Sequence, residues 1–520
     1  MTKEYINLDL KRNAKRNALF GLLEKLTTLA FPFLTRTIII YYLGAEYIGL
    51  GSLFSSVLQV LSIGELGFSS AITFCMYKPV AENDKKAINR LLLYYRNVYK
   101  VIGCVILVVG IILLPFLPKL IKGDVPGDIN LYILYCMYLG NTVIGYLFFA
   151  YRHSLLSAYQ REDIVSKINM VIQLIGGIVQ IVLLISFRNY YFYYGVTILI
   201  SIIKNIFLFY TTKRMYPQYY CEGRIEKEEK ALITEKIKGL MIGKIGGISR
   251  NSLDSIFISG FLGLTITAMY SNYFYIMNSV TLLLAVFSNA IVAGIGNRII
   301  IFSKEKNHKD MLQYDFLYMW LVMICTACLL CLYQPFTSLV WGERMLFPDH
   351  IMILFCLYFF QIQNGQIRYV YATAAGLWWE NRYRDIAETL ANCLLNYFLG
   401  KYFGVVGILV ATLISNFVFG FIWATSVVYK HYFTDIKKTE YFVLHTKLYL
   451  VAIFSCILSF VLCKNVHFSS ILGTILFSLC VAIIIPNVVI FFSFRNTDLF
   501  NGSISILKGI LKDKKTHPTE

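Results

Sequence analysis

Fourteen apolar runs, each separated from the next by a short polar interval, take up most of this chain. They fall at about residues 18–42, 48–77, 98–118, 129–151, 164–187, 190–212, 237–262, 267–297, 314–341, 350–377, 386–400, 404–429, 447–463 and 468–494. A bilayer's hydrocarbon core is about 30 Å thick and a helix rises about 1.5 Å per residue, so about 20 apolar residues cross it. Backbone in lipid must satisfy its own hydrogen bonds, and continuous runs of this length do so as helices. The expected fold is an all-α polytopic membrane protein with about fourteen transmembrane helices. The run at 386–400 is the shortest, which makes twelve and thirteen the neighbouring counts.

Charge distribution supports fourteen. Of 48 Lys and Arg, about 36 lie in segments that share a side with both termini, against about six on the other side. Removing one span would invert half of the loops and destroy that asymmetry, which marks the Lys/Arg-rich side as cytoplasmic. Both termini are therefore expected there. Lys3, Lys11, Arg12, Lys15 and Arg16 precede the first run and no small-residue cleavage site follows, so the first span is read as uncleaved. The net charge of +18 has its cause in these loops, and no nucleic-acid partner is expected.

Six basic residues fall inside the runs: Lys25, Arg36, Lys204, Lys244, Arg250 and Arg368. Each would oppose insertion by about 2.5–3.5 kcal/mol if it faced lipid, or about 15–20 kcal/mol together. Most must face protein or a wet cavity. The densest stretch is Gly243 to Asp254, where Lys244, Arg250 and Asp254 interrupt a span. Arg250 and Asp254 are four residues apart and can neutralise each other on one helix face, and Lys244 can snorkel from the span end. Gly243, Gly246 and Gly247 allow close helix approach.

The longest polar interval, Lys213 to Lys238, is rich in Glu and Lys, with a helix expected from Glu226 onward. It divides the chain into an N-lobe (1–212, spans 1–6), an inter-lobe linker (213–236) and a C-lobe (237–430, spans 7–12). An appended pair of spans (431–494) and a cytoplasmic tail (495–520) follow. A repeat crosses the divide, since the Leu-Gly turn after Tyr42 corresponds to the one after Phe261. Transporters built from internal repeats bind substrate where the repeats meet.

Chemistry of other kinds finds little footing. Twelve cysteines are scattered through apolar runs, as small hydrophobes are. Cys325, Cys328 and Cys331 have ligand-like spacing but lie on one apolar helix, and no metal is expected. Gly239 to Lys244 lacks the spacing and the following Ser or Thr of a P-loop. The chain is not read as an enzyme. An integral-membrane polysaccharide polymerase or ligase remains an alternative, although the loops at Lys119–Ile129 and Gly342–His350 are short for one.

Arg36 to Leu50, followed by Leu61 to Ala71, resembles the opening of the polysaccharide-transport (Wzx-type) flippases of the multidrug/oligosaccharidyl-lipid/polysaccharide (MOP) exporter superfamily. That family ends its first span with an Arg, follows with a Leu-Gly and a Tyr-Gly-type turn, and ends the second span with an acidic-Leu-Gly motif. Here these are Arg36, Leu43-Gly44, Tyr47-Ile48-Gly49 and Glu65-Leu66-Gly67. The resemblance implies two six-helix lobes around a central cationic cavity, with spans 13 and 14 beside them. It implies a bacterial inner-membrane flippase carrying an undecaprenyl-diphosphate-linked oligosaccharide outward, for O-antigen, capsule or exopolysaccharide. A polysaccharide polymerase and a chain-length regulator become candidate partners.

Guanidinium groups offer bidentate donors that stay charged when buried, which suits a diphosphate. Arg36, Arg250, Arg368 and Lys244 are the candidates for it. Tyr270, Asn272, Tyr273, Gln363 and Asn364 are candidates for sugar contact, as ring faces and amides suit hydroxyl-rich ligands. Asp254, Glu388 and Glu24 are candidate acids for H⁺ or Na⁺ coupling, with no other cofactor expected. A drug or metabolite antiporter on the same fold would place acids rather than cations in the cavity.

Overall fold

A computed structural model of the protein describes residues 10–65, 68–148, 151–466 and 468–513; side chains at 10–12, 14–15, 64, 228, 232, 235–236, 238–251, 289–294, 297 and 509–513 lie outside the described residues. Every regular element within them is helical. The order is α1 (Leu10–Tyr42), α2 (Ala45–Leu61), α3 (Phe68–Ala81), α4 (Lys85–Leu113), α5 (Leu131–Leu147), α6 (Arg152–Ala158), α7 (Glu162–Phe187), α8 (Tyr190–Met215) and α9 (Lys227–Leu262). Then come α10 (Leu264–Ile301), α11 (Lys304–Trp341), α12 (Asp349–Gln363), α13 (Gln366–Ala374), α14 (Arg382–Ser415), α15 (Ala424–His431), α16 (Thr439–Asn465), α17 (Ile471–Phe494) and α18 (Asp498–Asp513). The fold is that of an all-α, multi-pass membrane protein.

Among the described residues, eight helices are long and apolar enough to cross a membrane, or nine if the bent pair α5 and α6 forms one span. Of the other predicted spans, those at 237–262 and 267–297 lie in the continuous helices α9 and α10, and two are interrupted. The run at 48–77 breaks into α2 and α3 around Ser62–Glu65, and the run at 350–377 breaks at Gly365, which adopts φ +83°. Spans 11 and 12 share the continuous assignment α14, but its backbone turns at Gly404 with φ 60° and ψ −136°. Asn392 Nδ2 donates to Thr412 Oγ1 at 3.1 Å and Ser415 Oγ at 3.2 Å. On a straight helix residues that far apart would be separated by about 30 Å. The two arms therefore fold back antiparallel, and the short run at 386–400 is a span of its own.

The chain forms two compact units, Met1–Ser271 and Asn272–Glu520. In the first, α1 lies along α7, α7 along α8, and α2 along α9. Small residues permit these approaches: a Cβ on Gly177 would come within 2.1 Å of the Phe31 ring, and one on Gly176 within 2.3 Å of Ile200. In the second, α11 is the central pillar and packs on α12, α13, α16, α17 and α18. Its apolar window is 61% buried against 22% for α16 and α17, whose outer faces carry bare residues such as Leu450, Phe454, Leu472 and Ile484 suited to lipid. Cys328 and Cys331 pack with Ala327 against Ala482, Cys456 and Cys463, as apolar filling.

The repeat read from the two Leu-Gly turns has a backbone counterpart. Gly44 and Gly263 both take positive φ, 126° and 90°, and each immediately precedes a helix. Positive φ is strained for residues with a Cβ, which accounts for Gly at both places. The two turns also meet: a Cβ on Gly49 would stand 2.2 Å from the Leu264 carbonyl oxygen, and Thr265 Oγ1 donates to Glu46 at 2.9 Å.

At the start of α7, just ahead of the apolar run at 164–187, Asp163 ties three elements together. Its carboxylate accepts from Arg161 Nε at 2.9 Å and pairs with Arg16 at 3.0 Å and Lys167 at 3.5 Å, while Asn17 Oδ1 accepts its backbone N–H at 2.7 Å. Burial alone would raise its pKa, but Arg161, then Arg16 and Lys167, outweigh that and hold the carboxyl below its usual value.

Three outcomes follow from this packing. Gly49→Val should destabilise the protein by about 1–3 kcal/mol because backbone must shift to admit it. Gly127→Ala, where a Cβ meets nothing within 4 Å, should stay within about 0.5 kcal/mol in thermal unfolding of detergent-solubilised protein. Asp163→Asn should remove about 2 kcal/mol at pH 7. Because the folded pKa is depressed, that increment is present above about pH 4 and disappears as pH falls further, so wild type and variant should converge in unfolding curves taken at successively lower pH.

Candidate functional site

A polar space within the first unit lies along α7 and α8, bounded by α3, α4, α5 and α6 on one side and by α1 on the other. It has two chambers, of about 420 and 360 Å³, which share Asn169, Ser201 and Lys204. The first is lined also by Glu65, Tyr99, His153 and Asn205, and the second by Glu24, Thr28, Thr35, Gln173, Gln180 and Tyr193. Helical spacing produces this lining: Glu24, Thr28 and Thr35 share one face of α1, while Asn169, Gln173 and Gln180 share one face of α7. Serine, threonine and amide side chains on facing stripes make a wet interior inside otherwise apolar helices.

Glu24 is anchored there. Its Oε1 accepts from Asn169 Nδ2 at 2.5 Å and its Oε2 from Ser166 Oγ at 2.6 Å. Lys204 enters from α8 within electrostatic reach of Glu24 but makes no hydrogen bond or ion pair with a described residue. A half-buried ammonium on a polar chamber, with donors to spare, is a site for an anion or for hydroxyl oxygens. Glu65 faces the first chamber and accepts from Tyr99 Oη at 2.7 Å. Arg36 donates from Nη1 to Ser271 Oγ at 2.8 Å and lies within electrostatic reach of Tyr193, a residue of the second chamber.

Beside the chambers, α7 and α8 border an apolar groove of about 470 Å³ lined by Val171, Ile175, Val179, Leu199, Ile203 and Phe207. Ile168 is common to the groove and the first chamber, and Ile172 and Ile200 to the groove and the second. A polar space that carries Lys204, Glu24 and Glu65 and an apolar groove thus share walls.

The remaining candidates are placed differently. Arg368 on α13 is 4% exposed, and its guanidinium is spent on backbone: Nη1 donates to Phe421 O at 2.8 Å and to Thr425 Oγ1 at 2.5 Å, and Nη2 to Gly420 O at 2.8 Å. Those carbonyls belong to a π-helical stretch, Asn416–Trp423, and Phe421 O also accepts from Thr425 Oγ1 at 2.6 Å. Glu388 is bonded by Arg384 at 3.1 Å and Asn416 at 3.5 Å, far from Glu24 in sequence and in the other unit. Asp254 is buried and accepts from Tyr270 Oη at 2.7 Å. Tyr273 donates to Gln334 at 2.9 Å, Gln363 accepts from Tyr318 at 2.7 Å, and Asn364 donates to Tyr449 at 2.6 Å. With Asn272 at 0% exposure, all five sugar candidates sit in packed interiors in this conformation. The side chains of Lys244 and Arg250 lie outside the described residues. Lys204, Asn169 and Ser166 were not singled out by spacing, and only the lone charge of Lys204 within a span signalled any of them.

No protein-family model and no curated sequence matches the chain, whereas solved structures do. A lipid II flippase, MurJ, in an inward closed conformation superimposes with a TM-score of 0.65 at 13% identity, covering 92% of this chain and 99% of that one. An inward-facing multidrug resistance MATE transporter of the MOP superfamily gives 0.60 at 14% identity over 78% and 96% of the two chains. The MATE multidrug transporter DinF-BH, in a ligand complex, gives 0.57 at 15% identity over 83% and 98%. The chain has the fold of these transporters.

Arg368 and Lys204 should behave in opposite ways in thermal unfolding. Arg368→Met removes three charge-assisted hydrogen bonds from a buried site and should cost about 2–3 kcal/mol. Lys204→Met removes a half-buried charge that makes no hydrogen bond or ion pair with a described residue and should leave stability unchanged or raise it, the pattern of a residue kept for function.

Proposed function

We propose that this protein is a flippase of a bacterial inner membrane that carries an undecaprenyl-diphosphate-linked oligosaccharide from the cytoplasmic to the outer leaflet by alternating access, supplying surface polysaccharide synthesis. The observation that carries the proposal is the shared wall between the Lys204 chambers and the apolar groove of α7 and α8. A polyprenyl-diphosphate sugar is amphipathic in the same sense. Its phosphates need cations in place of water, its hydroxyls need amides and hydroxyl groups, and its tail needs an apolar surface. Lys204 and Arg36 act on the anionic head group, with Arg250 and Lys244 as further cations of the transport path, while Arg368 stays bound within its own unit. Tyr270, Asn272, Tyr273, Gln363 and Asn364 contact sugar in conformations that uncover them. A polysaccharide polymerase and a chain-length regulator act downstream as partners. The structural likeness to a lipid II flippase supports the lipid-linked substrate class.

A second reading, a drug or metabolite antiporter, draws on one specific observation: Glu24 and Glu65 also face the chambers. Carboxylates attract cationic drugs, as the guanidinium and ammonium groups attract phosphate.

The deciding assay reconstitutes the purified protein in liposomes containing a polyprenyl-diphosphate oligosaccharide and scores sugar that becomes accessible to an external glycosidase. Wild type should expose substrate. Lys204→Met, Arg36→Met and Arg250→Ala should each slow exposure roughly tenfold or more, the effect of losing one charge-assisted hydrogen bond. Exposure equal to empty liposomes, with uptake of a cationic dye instead, would select the antiporter.

A further inference from the structure

The charged interior of the second unit holds a histidine–carboxylate pair with no part in the head-group chemistry above. His445 on α16 and Asp315 on α11 meet with Nε2 and Oδ2 2.6 Å apart, at 1% and 0% side-chain exposure. Their remaining polar atoms, His445 Nδ1 and Asp315 Oδ1, are buried and find no hydrogen-bond partner among the described residues. A buried histidine held only for packing would have its second nitrogen satisfied. Here both ends of the pair are open.

The surroundings define what the opening can accept. Arg368 on α13, Tyr318 on α11, Tyr429 on α15 and Tyr441 on α16 lie within electrostatic reach of Asp315, and Arg384 of α14 within reach of Arg368. Arg384 is paired with Asp385 and Glu388, and Glu388 Oε1 comes within 3.4 Å of a Cβ placed on Gly420, whose carbonyl Arg368 holds. Beyond Tyr429, His308 Nε2 contacts the hydroxyl at 2.6 Å and Glu440 lies toward the surface. Among the described residues this set carries two guanidinium groups against three carboxylates, Asp315, Asp385 and Glu388. One proton on the imidazole balances it, and uncompensated charge in such an interior is strongly disfavoured.

We propose that the Asp315–His445 pair is a proton-binding site that couples a proton gradient to transport through α16. An incoming proton forms an N–H bond on the neutral imidazole, and the imidazolium so formed is held by the Asp315 carboxylate; nothing is oxidised or reduced. Binding of the proton stands independently of the substrate, whereas its coupling role rests on the flippase reading. It also gives the pair of spans after residue 431 a task, because Tyr441, His445 and Tyr449, each four residues from the next, point one face of α16 into the unit.

The test uses the full-length protein in lipid nanodiscs with ¹⁵N-labelled histidine, recording ring nitrogen shifts from pH 5 to 9. His445→Gln assigns the signal, with His445→Asn as the substitute if the first is not recovered. The expected result is a His445 ring signal that responds to pH over this range, with a response altered in Asp315→Asn. A signal that does not move between pH 5 and 9 overturns proton binding. In liposomes, an imposed pH gradient should accelerate substrate exposure severalfold in wild type and not in His445→Gln. Gradient stimulation that survives in His445→Gln overturns coupling. Wild type that exposes no substrate under any gradient removes the flippase reading and the coupling role with it, while the nanodisc titration still decides proton binding.

Discussion

Every polar group inside these helices must find its partner within the protein, because lipid offers none. That constraint explains where the helices are allowed to break. The π-helical stretch Asn416–Trp423 persists because Arg368 donates to the carbonyls of Gly420 and Phe421. The turn at Gly404 persists because Asn392 bridges the two arms of α14 through Thr412 and Ser415. In water, solvent would repair such defects. In hydrocarbon, each one binds a particular side chain to a particular place and gives the unit its shape.

The same constraint separates two kinds of buried charge. Arg368, Asp163 and Glu388 are surrounded by partners, so they hold the fold together and have little left to offer a ligand. Lys204 borders polar space with donors uncommitted to described residues, and Asp315 and His445 each keep one buried atom without a partner among the described residues. Depth in the membrane and formal charge are alike in the two classes. What distinguishes them is how completely neighbouring elements satisfy them, and that separates residues retained for architecture from those available for transport.

Helix positions were legible from composition and run length, because a lipid-spanning helix announces itself by twenty apolar residues in a row. The Leu-Gly turns were legible as a repeat, because positive φ at Gly44 and Gly263 leaves glycine as the residue free of strain. The candidate site was far less so. Arg36 and Glu24 stood out as charges in apolar runs, and both border or approach the chambers. Arg368 stood out for the same reason, yet its guanidinium is taken up by a π turn that no pattern of residues forecast. Ser166 and Asn169 gave no signal, because small polar residues are common in spans and acquire meaning only opposite Glu24.

The sequence by itself determined that this chain is helical, crosses a membrane many times, and must shelter most of six cations from lipid, since each follows from transfer energies summed over single segments. Only the tertiary structure decided which charges are paired and which are open, that spans 11 and 12 form a hairpin about Gly404, and that α16 reaches Asp315 through His445. The reason is physical. Insertion is a property of one helix and its solvent, whereas satisfaction of a buried donor or acceptor depends on residues far along the chain, as His445 is 130 positions from Asp315.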